Sequence, residues 1–160
     1  MCGIIGLVSD QEVSSTLLEG LKRLEYRGYD SSGIATINAN KIERVRSKGN
    51  LSFLEEKLSN TNLPGNIGVG HTRWATHGTP DEKNAHPHIT DKVAVVHNGI
   101  IENNNQIRNQ LIESGVEFSS DTDTEVICHV LTTYLNSGLS AYDSIRATMN
   151  DIRGTYALGV

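Results

Sequence analysis

An α+β fold, with antiparallel sheets and helices in separate layers, is what this sequence predicts. Three observations point there. Gly33 to Asn38 and Ile42 to Arg46 are strand-like runs separated only by Ala39-Asn40-Lys41, the pattern of a hairpin. Two helical patterns follow one another near the C-terminal end, from Thr122 and from Ala141, with no strand between them. The regular strand–helix alternation of a doubly wound parallel sheet is missing.

The elements can be taken in order. Ile4 to Val8 is a short apolar run expected to form a buried strand. Val13, Leu17, Leu18, Leu21 and Leu24 then recur at helical spacing up to a stop at Gly28. After the hairpin, Ser52 and Glu55 form a capping box for a helix through Leu58. Ile67 to His71 and Val93 to His97 are further strands, joined by a long polar connection of the kind that is usually functional or disordered. Ile107, Leu111 and Ile112 mark a helix that stops at Gly115, and Val116 to Phe118 is expected as a short strand. Thr122 with Glu125 is a second capping box, opening a helix that buries Val126, Ile127, Val130, Leu131 and Leu135. A helix from Ala141 to Ile152 and a strand from Thr155 to Val160 complete the chain.

At 160 residues the chain fits one domain with a real core. Its 37% hydrophobic and 21% charged content is that of a globular protein, and a net charge of -5 with no basic stripe argues against nucleic acid as a partner. No positively charged leader precedes the first apolar run, and no run approaches the ~18 residues of a membrane span, so a cytoplasmic chain without membrane contact is expected. The two cysteines, Cys2 and Cys128, are too few for a disulfide framework, which leaves room for a working thiol. Five of the six histidines fall between positions 71 and 97, yet no HExxH or paired Cys/His spacing accompanies them, and no metal is expected.

Cys2 stands directly behind the initiator methionine. Once Met1 is trimmed, one residue carries both a thiol and a free α-amine, whose pKa of ~7.7–8.0 suits it to act as a local base for the thiol. If Met1 stays, the amine lies one Cα–Cα step, ~3.8 Å, further away. The alternative is that Cys2 is a small hydrophobe at the start of a buried strand.

Other segments give Cys2 company. His71-Thr72-Arg73-Trp74-Ala75-Thr76-His77-Gly78 places a two-pronged cation and the only tryptophan where a strand empties into a loop. Arg73 suits bidentate capture of a carboxylate, although a surface loop anchored by a buried Trp74 would read the same way. His97-Asn98-Gly99 sets a side-chain amide beside an unhindered backbone N–H, the parts of an oxyanion hole, or else forms an ordinary Asn-Gly turn. Asp123, in Asp121-Thr122-Asp123-Thr124-Glu125, either caps a helix or meets an ammonium at its start. A carboxylate clamp and an ammonium partner around a nucleophile describe a site for an amino acid amide.

The segments MCGIIG, RLEYRGYDSSG, HTRWATHGTP, NAHPH, HNGIIEN and SDTDTEV resemble, over the whole chain, the N-terminal glutaminase domain (class II glutamine amidotransferase) of the glucosamine-6-phosphate synthase family. That resemblance implies an N-terminal nucleophile hydrolase fold, an αββα four-layer sandwich of antiparallel sheets, truncated at its C-terminal end. It implies hydrolysis of L-glutamine to L-glutamate and ammonia through a Cys2 thioester, without metal or organic cofactor. Asn98 and the Gly99 N–H would form the oxyanion hole, Arg73 would clamp the α-carboxylate, and Asp123 would bind the α-amine. Trp74, Thr76 and His77 would belong to a loop closing over the substrate, with Arg27 and His86 in support. Residues 1–160 would be an incomplete glutaminase domain whose sugar isomerase domains, working on fructose 6-phosphate in a homo-oligomeric full-length enzyme, are absent. A glutamine-binding module without activity and an N-terminal cysteine hydrolase of another amide are the competing readings.

Overall fold

Burial of the Val13, Leu17, Leu18 and Leu21 face shapes the first half of the molecule. The computed structural model describes residues 2–74 and 79–160, apart from the Arg27 side chain. Strand β1 (Gly3–Val8) leads into α1 (Ser14–Leu24), whose apolar face packs with Ile34 and Leu54 in one cluster. β2 (Ser31–Asn38) and β3 (Lys41–Lys48) form the hairpin, with Ala39 and Asn40 both at positive φ (47° and 63°), as a two-residue turn that matches strand twist requires. Lys41 is thereby the first residue of β3 and not part of the turn. After α2 (Leu51–Asn60), β4 (Ile67–Arg73) inserts between β1 and β2, so the first sheet runs β1-β4-β2-β3, antiparallel throughout.

A second sheet is built from β5 (His88–Ile89), β6 (Ala94–Ile101) and β7 (Gly154–Gly159), also antiparallel. Helices α3 (Asn104–Glu113), α4 (Asp123–Asn136) and α5 (Ala141–Asp151) belong to this half, where Val95, Ile101, Ile107, Val126, Ile127 and Leu131 form a second apolar cluster. The two sheets face each other, with Gly159 of β7 lying against Val69 of β4 and Ile4 of β1. Helices, sheet, sheet, helices is the four-layer arrangement expected.

Several local expectations fail, each for a hydrogen-bonding reason. Val116 to Phe118 is no strand: the Val116 N–H closes the end of α3 on the Leu111 carbonyl (2.9 Å), and Phe118 lies under the Arg108 guanidinium, 4.0 Å from its ring centre. Neither capping box forms. At α2 the Leu51 N–H donates to the Tyr29 hydroxyl (2.6 Å), which burial and Glu25 hold at a pKa of about 12. At α4, Glu125 reaches past Thr122 to accept from the N–H groups of Ser119 (2.8 Å) and Ser120 (2.7 Å); burial pushes its pKa up, but His129, the Ser120 hydroxyl and the Ser119 N–H and hydroxyl outweigh that and hold it far below the carboxylate range. The long connection is interrupted by a 3-10 turn at Glu82–Asn84 and by β5.

Asn98-Gly99 is not a turn either. It lies inside β6, where Gly99 pairs with Tyr156 at φ +125°, and an added Cβ would stand 2.1 Å from the Thr155 carbonyl oxygen. Only glycine fits there.

Leu21 is fully enclosed in the first cluster, so Leu21→Ala is expected to cost about 2–5 kcal/mol, read as a lowered urea midpoint at unchanged slope.

Candidate active site

Strand pairing puts the chain's first thiol beside its most interesting cation. Gly3 pairs with Thr72, and the Gly3 N–H donates to the Thr72 hydroxyl (3.1 Å), which brings Cys2 level with the end of β4 at Arg73. The Cys2 sulfur accepts the Trp74 N–H at 3.1 Å. Across the gap between the sheets, Asn98 Nδ2 donates to the Cys2 carbonyl (3.3 Å), while Asn98 Oδ1 meets His71 Nε2 at 2.8 Å. A cavity of about 250 Å³ opens here, lined by Cys2, Arg73, Trp74, Gly99 and Asp123 together with His71, His86, His97, Ile100, Thr122 and Thr124.

Two buried charges of opposite sign border it. Arg73 is 3% exposed; burial lowers its pKa, while Asp30, Cys2 and Asp123 oppose that, and a guanidinium keeps its charge regardless. Asp30 stands 3.7 Å from the guanidinium and ties its own N–H to the Arg73 carbonyl (2.8 Å). Asp123 opens α4, where the helix dipole favours a carboxylate, and its Oδ2 accepts the Ile101 N–H at 2.9 Å. A zwitterion could therefore lie between Arg73 and Asp123 with a thiol in reach.

Three histidines, His71, His86 and His97, line the cavity, and His88 packs behind His86. His71 and His86 stack with ring centres 4.3 Å apart, and His86 meets His88 edge-on at 4.9 Å. His86 Nε2 and His97 Nδ1 share the Thr124 hydroxyl (2.7 and 3.0 Å), and His88 Nε2 reaches the Thr122 hydroxyl (2.9 Å). Burial holds His71 at a pKa of about 4 and His88 at about 3, and it lowers His86 strongly too. The neutral rings of His71, His86 and His88 act as hydrogen-bonding spacers, and among the described residues no group of three or more His, Cys, Asp or Glu could hold a metal ion.

The structure thus gathers Cys2, Gly99, Arg73, Trp74, Asp123 and His86 around one cavity, with Asn98 tied to the Cys2 carbonyl beside it. Trp74 is 53% exposed, so it does not anchor the loop by burial; its ring instead covers Gly28, which stands at positive φ. Arg27 lies on a 3-10 turn at Glu25–Arg27, but its side chain, like Thr76 and His77, falls outside the described residues. Reading the sequence missed His71, His97, Thr122 and Thr124. The histidine crowding was a signal, but it was weighed only as metal ligation, found unsupported, and not followed to a hydrogen-bonded wall. Cys128 is remote in kind: fully buried on α4, its thiol is raised far above the ordinary range by burial and Glu125.

The family model of the glutamine amidotransferase domain matches residues 71–160. Glutamine–fructose-6-phosphate aminotransferase [isomerizing] of Bartonella henselae is 55% identical over 160 residues, 100% of this chain and 26% of that protein. A protein of the same name from Rhizobium meliloti is 54% identical, again over 100% of this chain and 26% of its own length. The chain therefore spans about a quarter of the curated relatives it matches. Among solved structures, glutamine phosphoribosylpyrophosphate amidotransferase from B. subtilis, complexed with ADP and GMP, superposes with a TM-score of 0.83 at 25% identity, covering 99% of this chain and 34% of that one. A structure described as the allosteric regulatory enzyme of purine biosynthesis gives 0.84 at 26% identity, with the same coverage of 99% and 34%.

The histidine wall has a pH consequence. The unfolded chain takes up protons near pH 6.5, whereas the folded one keeps His71 neutral to about 4 and His88 to about 3. Stability is therefore full above pH 6.5 and falls as pH drops from there toward 4, by up to about 1.4 kcal/mol per pH unit for each such ring. Urea midpoints measured from pH 8 to 4 should show that fall, and a shallower one in His88→Gln.

Proposed function

This chain belongs to the glutamine amidotransferase domain family, and from that premise we propose that its cavity hydrolyses L-glutamine to L-glutamate and ammonia. The observation that carries the reading is the pair of buried, opposite charges, Arg73 and Asp123, on the cavity that holds the Cys2 thiol. Arg73 takes the α-carboxylate as a charge-assisted pair, and Asp123 takes the α-ammonium. The side-chain carboxamide then points at Cys2.

With Met1 removed, the α-amine of Cys2 accepts the thiol proton, and the sulfur attacks the amide carbon. The carbonyl oxygen becomes an oxyanion that Asn98 Nδ2 and the Gly99 N–H stabilise. Collapse of that intermediate breaks the C–N bond, and the leaving nitrogen takes the proton held on the α-amine and departs as ammonia. Water adds to the γ-glutamyl thioester, passes through a second oxyanion and releases glutamate with the thiol restored.

Trp74, Thr76 and His77 are assigned to a loop that covers the bound amino acid, and Arg27 and His86 to its support. Residues 1–160 are read as the ammonia-generating unit of a longer homo-oligomeric enzyme that makes glucosamine 6-phosphate from fructose 6-phosphate, a reading supported by relatives about four times as long. Two free cysteines fit a cytoplasmic setting, where thiols stay reduced.

Intact-mass measurement with a glutamine-analogue alkylator should find Met1 lost and one adduct on Cys2, none in Cys2→Ala, and none on the buried Cys128. Asn98→Ala should lower kcat by ~10²–10³. Arg73→Gln and Asp123→Asn should instead act mainly on KM. Equal turnover of uncharged amides would overturn the substrate assignment.

A further inference from the structure

We propose that His71 is a positioning residue: its Nε2–H holds Asn98 Oδ1 and so aims the Asn98 Nδ2 at the reacting carbonyl. The inference rests on the glutaminase reading and adds to it the group that decides which end of the Asn98 amide faces the thiol.

An asparagine amide can present either end. Turned one way, Asn98 offers donors to the oxyanion; turned by 180°, it offers an oxygen that would repel one. The observed contacts favour one orientation. His71 Nε2 lies 2.8 Å from Oδ1, and the Cys2 carbonyl, which can only accept, lies 3.3 Å from Nδ2. In the flipped orientation two oxygens would face each other at Cys2 and two N–H groups at His71. One Nδ2 hydrogen is used on the Cys2 carbonyl, and the other remains for the oxyanion.

The selection works only if Nε2 carries the ring proton. His71 is fully enclosed and its ring also interacts with the His97 backbone; the proton is placed on Nε2 by the Cys2 carbonyl, which can only accept and so turns Asn98 Oδ1 toward His71. The His86 ring, 4.3 Å away and tilted by 32°, limits rotation of the His71 plane. His71 stands on β4 and Asn98 on β6, so the bond spans the gap between the sheets and holds the amide with a group from the opposite sheet.

The test compares His71→Phe, which keeps a flat ring without a donor, with His71→Gln, whose amide N–H reaches about where Nε2 was. His71→Phe should lower kcat for glutamine about ten- to a hundredfold, part of the ~10²–10³ lost without the Asn98 donor, with KM changed less than about threefold. His71→Gln should restore most of it, and in an Asn98→Ala background His71→Phe should cost nothing more. The Asn98 side-chain amide signals in an NMR spectrum, identified by their loss in Asn98→Ala, should move in His71→Phe and return in His71→Gln. If His71→Phe does not fold, His71→Leu replaces it. An equal loss in the Asn98→Ala background, an effect on KM alone, or unmoved amide signals would overturn the positioning role. Absence of turnover in the parent chain would instead sink the glutaminase reading, and the NMR comparison would still decide whether His71 aims the amide.

Discussion

Asn98 joins the two sheets through a single side chain. It rides on β6, yet its amide is held at one end by His71 of β4 and at the other by the backbone of Cys2, just ahead of β1. β6 must also run past β7 closely enough that position 99 admits no Cβ. A side chain there would push the strands apart and carry the amide away from the thiol, so the glycine is as much a condition of the site as the cysteine.

The charges on the cavity show what the fold must sustain. Burying Arg73 costs several kcal/mol unless it is compensated, and Asp30 close by supplies part of that compensation. Asp123 is held by the Ile101 N–H and by the start of α4. That start is in turn fixed by Glu125, which gathers Ser119 and Ser120, and by Arg108, whose guanidinium donates to the Ser120 and Thr122 carbonyls at 3.2 and 2.7 Å. A carboxylate two residues inside the helix thus shapes the loop that presents the one at its mouth.

Much of this was legible beforehand, for reasons that can be named. Apolar spacing identified α1 and α4 because burial dominates their energetics. The hairpin was legible from its short polar turn, though its two central residues had to adopt positive φ. What failed was local hydrogen bonding. Ser52 and Thr122 have the spacing of caps, but Tyr29 and the Ser119-Ser120 pair offered better partners from elsewhere in the fold. Val116 to Phe118 had strand-like composition, but the end of α3 took its first N–H.

By itself, the sequence determined the chemistry available: a thiol behind the initiator methionine, a guanidinium at a strand end, an amide beside a glycine, and a carboxylate at a helix start. It also determined which faces had to be buried, because apolar periodicity is written in the order of residues. Only the tertiary structure decided that Cys2 and Asp123, more than a hundred residues apart, share one cavity, and that the histidines beside it are held by threonine hydroxyls and by one another. Burial and the identity of a hydrogen-bond partner across a gap belong to the packing of two sheets, which no stretch of chain specifies alone.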